Sequence, residues 1–190
     1  MGTKTRSIAN NLTTGLGAPD QELLSNTTIS SAAFTDITTA FSDTTYTNFV
    51  IVGSGINMAS DNTEFRFNFL NTSGNAVGDT NYYWAGVGQR DTGSAVDWGN
   101  TATSYGRIID NNASTGQSTN FTMTVFKPFI NGHYTSFTIG AGGRRSGGGA
   151  HTVYSAGYVN TTDQIKGIRF SYNTGNISAG NLLLYGLRDS

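Results

Sequence analysis

From Glu64 to Phe69 the chain alternates without a fault. Phe65, Phe67 and Phe69 share one parity, and Glu64, Arg66 and Asn68 share the other. Successive side chains of a strand point to opposite faces, so this stretch predicts a strand with one buried and one wet face. On a helix the three rings would be spread around the axis. Asn120–Phe126 repeats the pattern, with Phe121, Met123 and Val125 opposing Thr122 and Thr124. Each apolar face needs a second layer to cover it, which predicts two packed sheets.

The rest of the chain is consistent with that frame. Short strand candidates alternate with clusters of turn residues: Thr28–Phe34, Asn48–Val52, Glu64–Leu70, Tyr82–Gln89, Ser104–Ile109, Asn120–Phe126, Tyr134–Ile139, His151–Val159, Ile165–Tyr172 and Asn181–Leu187. No run of strong helix formers separates them. The fold class expected is therefore all-β, a two-sheet antiparallel β-sandwich of the jelly-roll kind, spanning residues 28–190. Residues 1–27 are expected to form a short N-terminal arm. Within it Ile8, Leu12 and Leu16 recur every fourth residue, on one face of any helix that forms, and Gly15, Gly17 and Pro19 end the pattern. An arm that orders against a partner and a frayed terminus both fit.

Charge and composition narrow the function. The net charge is −1, against the strongly basic field that general nucleic-acid or acidic-lipid binding needs. The chain has no cysteine, which removes disulfides, thiolate metal sites and thiol chemistry. No apolar run is long enough to span a membrane as a helix, and Met1–Thr14 lacks a secretory core. No nucleophile elbow is present, since Gly53-Ser54-Gly55 has the wrong spacing. His133 and His151 form no metal-binding pair, and no motif supplies either with a carboxylate partner. The pairs Asp20 with Glu22 and Asp91 with Asp97 carry no catalytic signature. The expectation is a protein that is not an enzyme and uses no cofactor or metal.

Aromatic and cationic residues supply the candidate contacts. Tyr82-Tyr83-Trp84, Trp98 and Tyr105 could stack on sugar rings or fill the core, and the same two readings apply to Tyr154 and Tyr158. Tyr82 and Trp84 must point to one side of a strand and Tyr83 to the other. Gly140–Gly149 reads Gly-Ala-Gly-Gly-Arg-Arg-Ser-Gly-Gly-Gly, a long hairpin tip that would carry Arg144 and Arg145 toward an anionic partner or simply be solvated. Candidate glycan or surface contacts are thus Trp84, Trp98, Tyr105, Arg144 and Arg145. Asp91–Asn100 is expected to be a second free loop.

The C-terminal part carries a resemblance. Gln164-Ile165-Lys166-Gly167-Ile168-Arg169-Phe170 is followed by Asn173-Thr174-Gly175-Asn176-Ile177-Ser178-Ala179-Gly180 and then by Leu182-Leu183-Leu184-Tyr185-Gly186-Leu187. This order of strands and turns resembles the C-terminal end of concanavalin-like jelly-roll domains in tail and other virion proteins of bacteriophages, marine phages included. The resemblance implies a structural protein of a phage particle, assembled in the host cytoplasm: a capsid decoration, fibre or tail component. It implies a homo-oligomer, most often a trimer, attached to other virion proteins through the N-terminal arm. It transfers no catalytic residue. The alternative is a carbohydrate-binding module or lectin-like domain that binds a host surface glycan. Neither reading involves nucleic acid or membrane insertion.

Overall fold

The computed structural model describes residues 21–188, apart from 42–44, 61, 79, 113–117 and 147. The arm residues Ile8, Leu12 and Leu16 lie outside the described residues. All regular structure among those described is β: β1 (Gln21–Ala32), β2 (Phe34–Ile37), β3 (Asn48–Met58), β4 (Thr63–Asn71), β5 (Tyr82–Arg90), β6 (Ala95–Thr103), β7 (Gly106–Asn112), β8 (Thr119–Phe126), β9 (Thr135–Arg144), β10 (Ala150–Val159), β11 (Ile165–Tyr172) and β12 (Ile177–Leu187). They form an eight-stranded sheet in the order β1-β12-β3-β8-β9-β10-β5-β6 and a four-stranded sheet in the order β2-β11-β4-β7. Every pairing is antiparallel.

This order is a jelly roll with two insertions. The chain passes from one sheet to the other between β1 and β2, β2 and β3, β3 and β4, β4 and β5, β6 and β7, β7 and β8, β10 and β11, and β11 and β12. The quartets β1-β12-β3-β8 and β2-β11-β4-β7 are the two facing sheets of an eight-stranded jelly roll. The β5–β6 hairpin is inserted between β4 and β7, and the β9–β10 hairpin after β8. β10 pairs with β5, so both hairpins extend the larger sheet in one direction. The larger sheet therefore runs past the edge strand β7 of the smaller one.

The core follows the alternation. Phe65, Phe67 and Phe69 of β4 are buried, as are Phe121, Met123 and Val125 of β8, Ile168 and Phe170 of β11, and Leu184 of β12. Rings meet across the sandwich: Phe65 on Phe121 at 5.7 Å and Phe67 on Phe137 at 5.0 Å between centroids. Edge-to-face ring pairs of this kind add to the stabilisation from area burial. The Tyr82 hydroxyl, buried among these rings, accepts the Phe69 amide N–H at 2.6 Å. Burial drives its pKa upward, so it stays a neutral phenol.

Several expected boundaries shift. β1 begins at Gln21, so residues 21–27, placed in the arm on sequence, pair with β12 from Gln21↔Leu187 onward. Glu22 in that segment accepts hydrogen bonds from Tyr46 at 2.5 Å and Arg188 at 3.0 Å. Asp91–Asn100 is not a free loop, because β6 starts at Ala95 and only Asp91–Ser94 turns. β6 is an edge strand whose Asp, Asn and Gly content gives little strand signal. Gly140–Gly149 is not a long tip either. Gly140, Gly142 and Gly143 are strand residues of β9, and Arg144 pairs with Ala150, leaving residues 145–149 as the connection.

Candidate functional site

Where the larger sheet outruns the smaller one, the inner faces of β5, β6 and β10 lie against the edge strand β7, and Tyr82 of β5 also packs on Phe67 and Phe69 of β4. On β5 the inward positions are Tyr82, Trp84, Gly86, Gly88 and Arg90. The cross-strand partners on β10 are Ser155 beside Gly86 and Val153 beside Gly88, with His151 beside Arg90. On β6, Trp98 stands opposite Gly86. At Gly86 the place of a side chain is taken by the Tyr154 carbonyl and Ser155, and at Gly88 by the Thr152 carbonyl with the His151 and Trp98 rings beside it. A β-carbon added at Gly88 would stand 3.3 Å from His151 Nε2 and 3.7 Å from Trp98 Nε1. The Trp98 and His151 rings stack at 5.7 Å, and Trp84 meets Trp98 edge-on at 6.2 Å.

A chain of charges from the smaller sheet closes over these rings. Arg107 of β7 places its guanidinium 5.1 Å from the Trp84 ring and 5.6 Å from the Trp98 ring. It also binds Glu64 of β4 at 2.9 Å and lies 3.9 Å from Asp110. Glu64 holds Arg66 at 2.5 Å, and Arg66 lies 3.9 Å over the ring of Tyr105. Asp110 in turn sits 3.5 Å from His151 Nδ1. His151 is 1% exposed. Burial lowers its pKa; Asp110 opposes that shift, while Arg90 and Arg145 add to it.

The structure thus gathers three residues that the sequence marked. Trp84, 5% exposed, is a wall of the cleft and belongs to the core, so its ring offers no open face to a sugar. Trp98 is partly buried beside it, and Tyr105 lies at the rim under Arg66. Arg144 is exposed at the end of β9. Arg145 is partly buried in the turn, near enough to act on His151. Glu64, Arg66, Arg107 and Asp110 went unmarked because each is an ordinary strand-face charge until the sheets are placed together. The carboxylate facing His151, which no motif reveals, comes from a different sheet. Among the described residues no group of three or more His, Asp or Glu could hold a metal ion.

A second surface lies on the outer face of the same extension. Tyr154 and Tyr158, for which a core position was one of the two readings, are 69% and 39% exposed. The inward parity of β10 is taken by His151, Val153, Ser155 and Val159, which sends both tyrosines outward. Tyr83 and Tyr158 stack across β5 and β10 at 5.2 Å and 5°, and Tyr134 adds a third ring at 5.8 Å. Tyr154 pairs with Gly140 on β9 and Val87 on β5. Its ring edge covers the place of the missing Gly140 side chain.

No protein-family model matches the chain, and no curated protein does. Among solved structures it is similar to a fructofuranosidase variant from Schwanniomyces occidentalis in complex with fructosylnystose, at 8% identity and a TM-score of 0.21 over 90% of this chain and 34% of that one. It is also similar to infectious bursal disease virus of the Gt strain, at 11% identity and a TM-score of 0.13 over 92% of this chain and 38% of that one. The chain spans about a third of the length of the structures it matches. At these scores the likeness decides nothing, and the class of the protein, a jelly-roll β-sandwich, rests on its own strand order.

Proposed function

We propose that this jelly roll is a structural module of a bacteriophage particle, a capsid decoration, fibre or tail component, that acts by surface contact and carries out no catalysis. The observation that supports it most is the outer aromatic strip of Tyr83, Tyr134, Tyr154 and Tyr158 with Val87. Contiguous exposed apolar surface on a folded domain marks a contact site for another molecule. The phage setting comes from the resemblance of the Gln164–Leu187 region to virion jelly rolls. In this reading the strip contacts other virion proteins, the copies form a trimer, and Ile8, Leu12 and Leu16 attach the arm to the particle. The test is deletion of residues 1–16. Folding, followed by circular dichroism, should be unchanged, and incorporation into particles should be lost. Incorporation at the normal copy number would remove the arm as the attachment device.

A lectin-like role, with a host surface glycan as ligand, has one specific observation in its favour. Tyr154 lies over a glycine with most of its surface in water, a geometry suited to stacking on a sugar ring. Single contacts of that kind are weak and gain strength by repetition on an oligomer. A glycan array probed with the assembled protein and with Tyr154→Ser separates the two readings. A signal that the substitution abolishes supports the lectin.

A further inference from the structure

The outer face of the larger sheet carries almost no charge. One row runs straight across six strands: Leu183 pairs with Val52, Val52 with Thr122, Thr122 with Gly140, Gly140 with Tyr154 and Tyr154 with Val87. The neighbouring row, from Tyr185 to Ala85, reads Tyr, Val, Thr, Thr, Ala, Ala. No outward position on β12, β3, β8, β9, β10 or β5 holds a charged residue until Arg144, the last of β9. The outer face of the smaller sheet is the opposite case, with Glu64 paired to Arg66 and Asp36 to Arg169. A sheet face turned to water is ordinarily polar, and a broad uncharged one marks a contact. Six strands about 4.8 Å apart, with about 3.3 Å per residue along them, make a face of roughly 700 Å². That is close to the roughly 800 Å² that each partner contributes to a stable interface.

We infer that this face binds the same face of a second copy of the chain, back to back, about a two-fold axis that runs along the strands over the gap between β8 and β9. Charge selects the partner. Ions set against this face would lose their water and gain no counter-charge, so its complement is another uncharged face. Relief selects the axis. Tyr154 is 69% exposed and Val87 58%, whereas Val52 and Leu183 are partly buried, so the row stands high on β10 and β5 and low on β12 and β3. Rotation about the strand direction reverses the row. Tyr154 then falls on Val52 of the second copy and Val87 on Leu183, with Thr122 over Gly140 at the centre. Tyr83 and Tyr158, on the same two high strands, fall toward β12 and β3 in the same way. An axis across the strands would instead drive each Tyr154 against the other. Sheets packed face to face about 10 Å apart with aligned strands are the usual sandwich arrangement. The inference rests on the reading of the outer strip as a contact surface and names its occupant. The contact doubles whatever unit the other contacts build, a trimer to a hexamer, as concentration rises.

Sedimentation velocity of the full-length protein from low to high micromolar concentration tests this, with every variant first matched to the parent by circular dichroism and melting curve. The parent should double in mass. Thr122 is exposed at the centre of the row, so Thr122→Lys and Thr122→Asp should each abolish the doubling by setting like charges on both sides of the axis. Mixed in equal amounts, the two variants should recover it. Lys166→Glu, an exposed change on the smaller sheet, should leave it as in the parent. A parent that never doubles overturns the inference, and so does doubling that survives Thr122→Lys. A mixture that fails to recover the doubled mass overturns the two-fold pairing of this row. Incorporation into particles is read separately. A parent that doubles and is absent from particles keeps the inference and removes the particle role, and one that is incorporated without ever doubling does the reverse.

Discussion

The ring of Phe121 on β8 occupies the space over Gly53 on β3, where a β-carbon would overlap Cε1 and Cδ1 of the ring. The two residues face each other across the strand pair, and Gly53 has ordinary strand geometry, so room is what the glycine supplies. Gly53→Ala should therefore destabilise the fold by about 1–3 kcal/mol through overpacking. Combining it with Phe121→Leu should recover part of the loss compared with the sum of the single changes. Urea unfolding of the four proteins measures both terms.

Phe67 has the same relationship with Gly106 on β7 and also meets Phe69, Tyr82 and Phe137. It belongs to the smaller sheet, while Tyr82 and Phe137 belong to the larger one. Phe67→Ala removes a ring that spans both layers and should cost about 3–5 kcal/mol. A loss under about 1 kcal/mol in denaturant unfolding would show that this ring is not at the centre of the sandwich.

His151 gives a pH dependence of fixed sign. Its folded pKa lies below the ordinary 6.5, chiefly because burial disfavours the cation. As pH falls through 6.5 the unfolded chain takes up a proton that the folded chain refuses, so stability declines. The decline from this group ends once pH passes below the lowered folded value. His151→Gln should flatten the melting temperature in that window relative to the parent. An unchanged slope in calorimetry would mean that His151 is not buried as the neutral ring.

Much of the fold was legible in the alternation. Phe65, Phe67, Phe69, Phe121, Met123 and Val125 occupy the core as their parity requires. The order of the strands was not legible, because pairing such as β10 with β5 joins residues some seventy positions apart by backbone bonds that leave no side-chain pattern. β6 escaped notice as an exposed edge with little apolar content. In the cleft, Trp84 and Trp98 stood out as large aromatics. Arg107, Asp110 and His151 did not, since their meeting depends on how far one sheet overhangs the other. Tyr154 and Tyr158 were ambiguous for a related reason: tyrosine suits either face of a strand, and the parity of β10 is set by less conspicuous neighbours, Val153 and Ser155.

The outer tyrosines should contribute contact and little stability. Tyr154→Ser combined with Tyr158→Ser should shift the unfolding free energy by about 0.5 kcal/mol or less per exposed site. In the proposed role the same double change should lower incorporation into particles. Native mass spectrometry of the free protein should show a trimer; a monomer at micromolar concentration would count against the oligomer.

The most direct test of the proposed particle role is quantitative mass spectrometry of gradient-purified virus particles from a lysate of cells that produce the chain. The account predicts the protein in every intact particle fraction, at a fixed copy number divisible by three relative to the major capsid protein. Its abundance in the lysate with absence from purified particles would contradict a structural role.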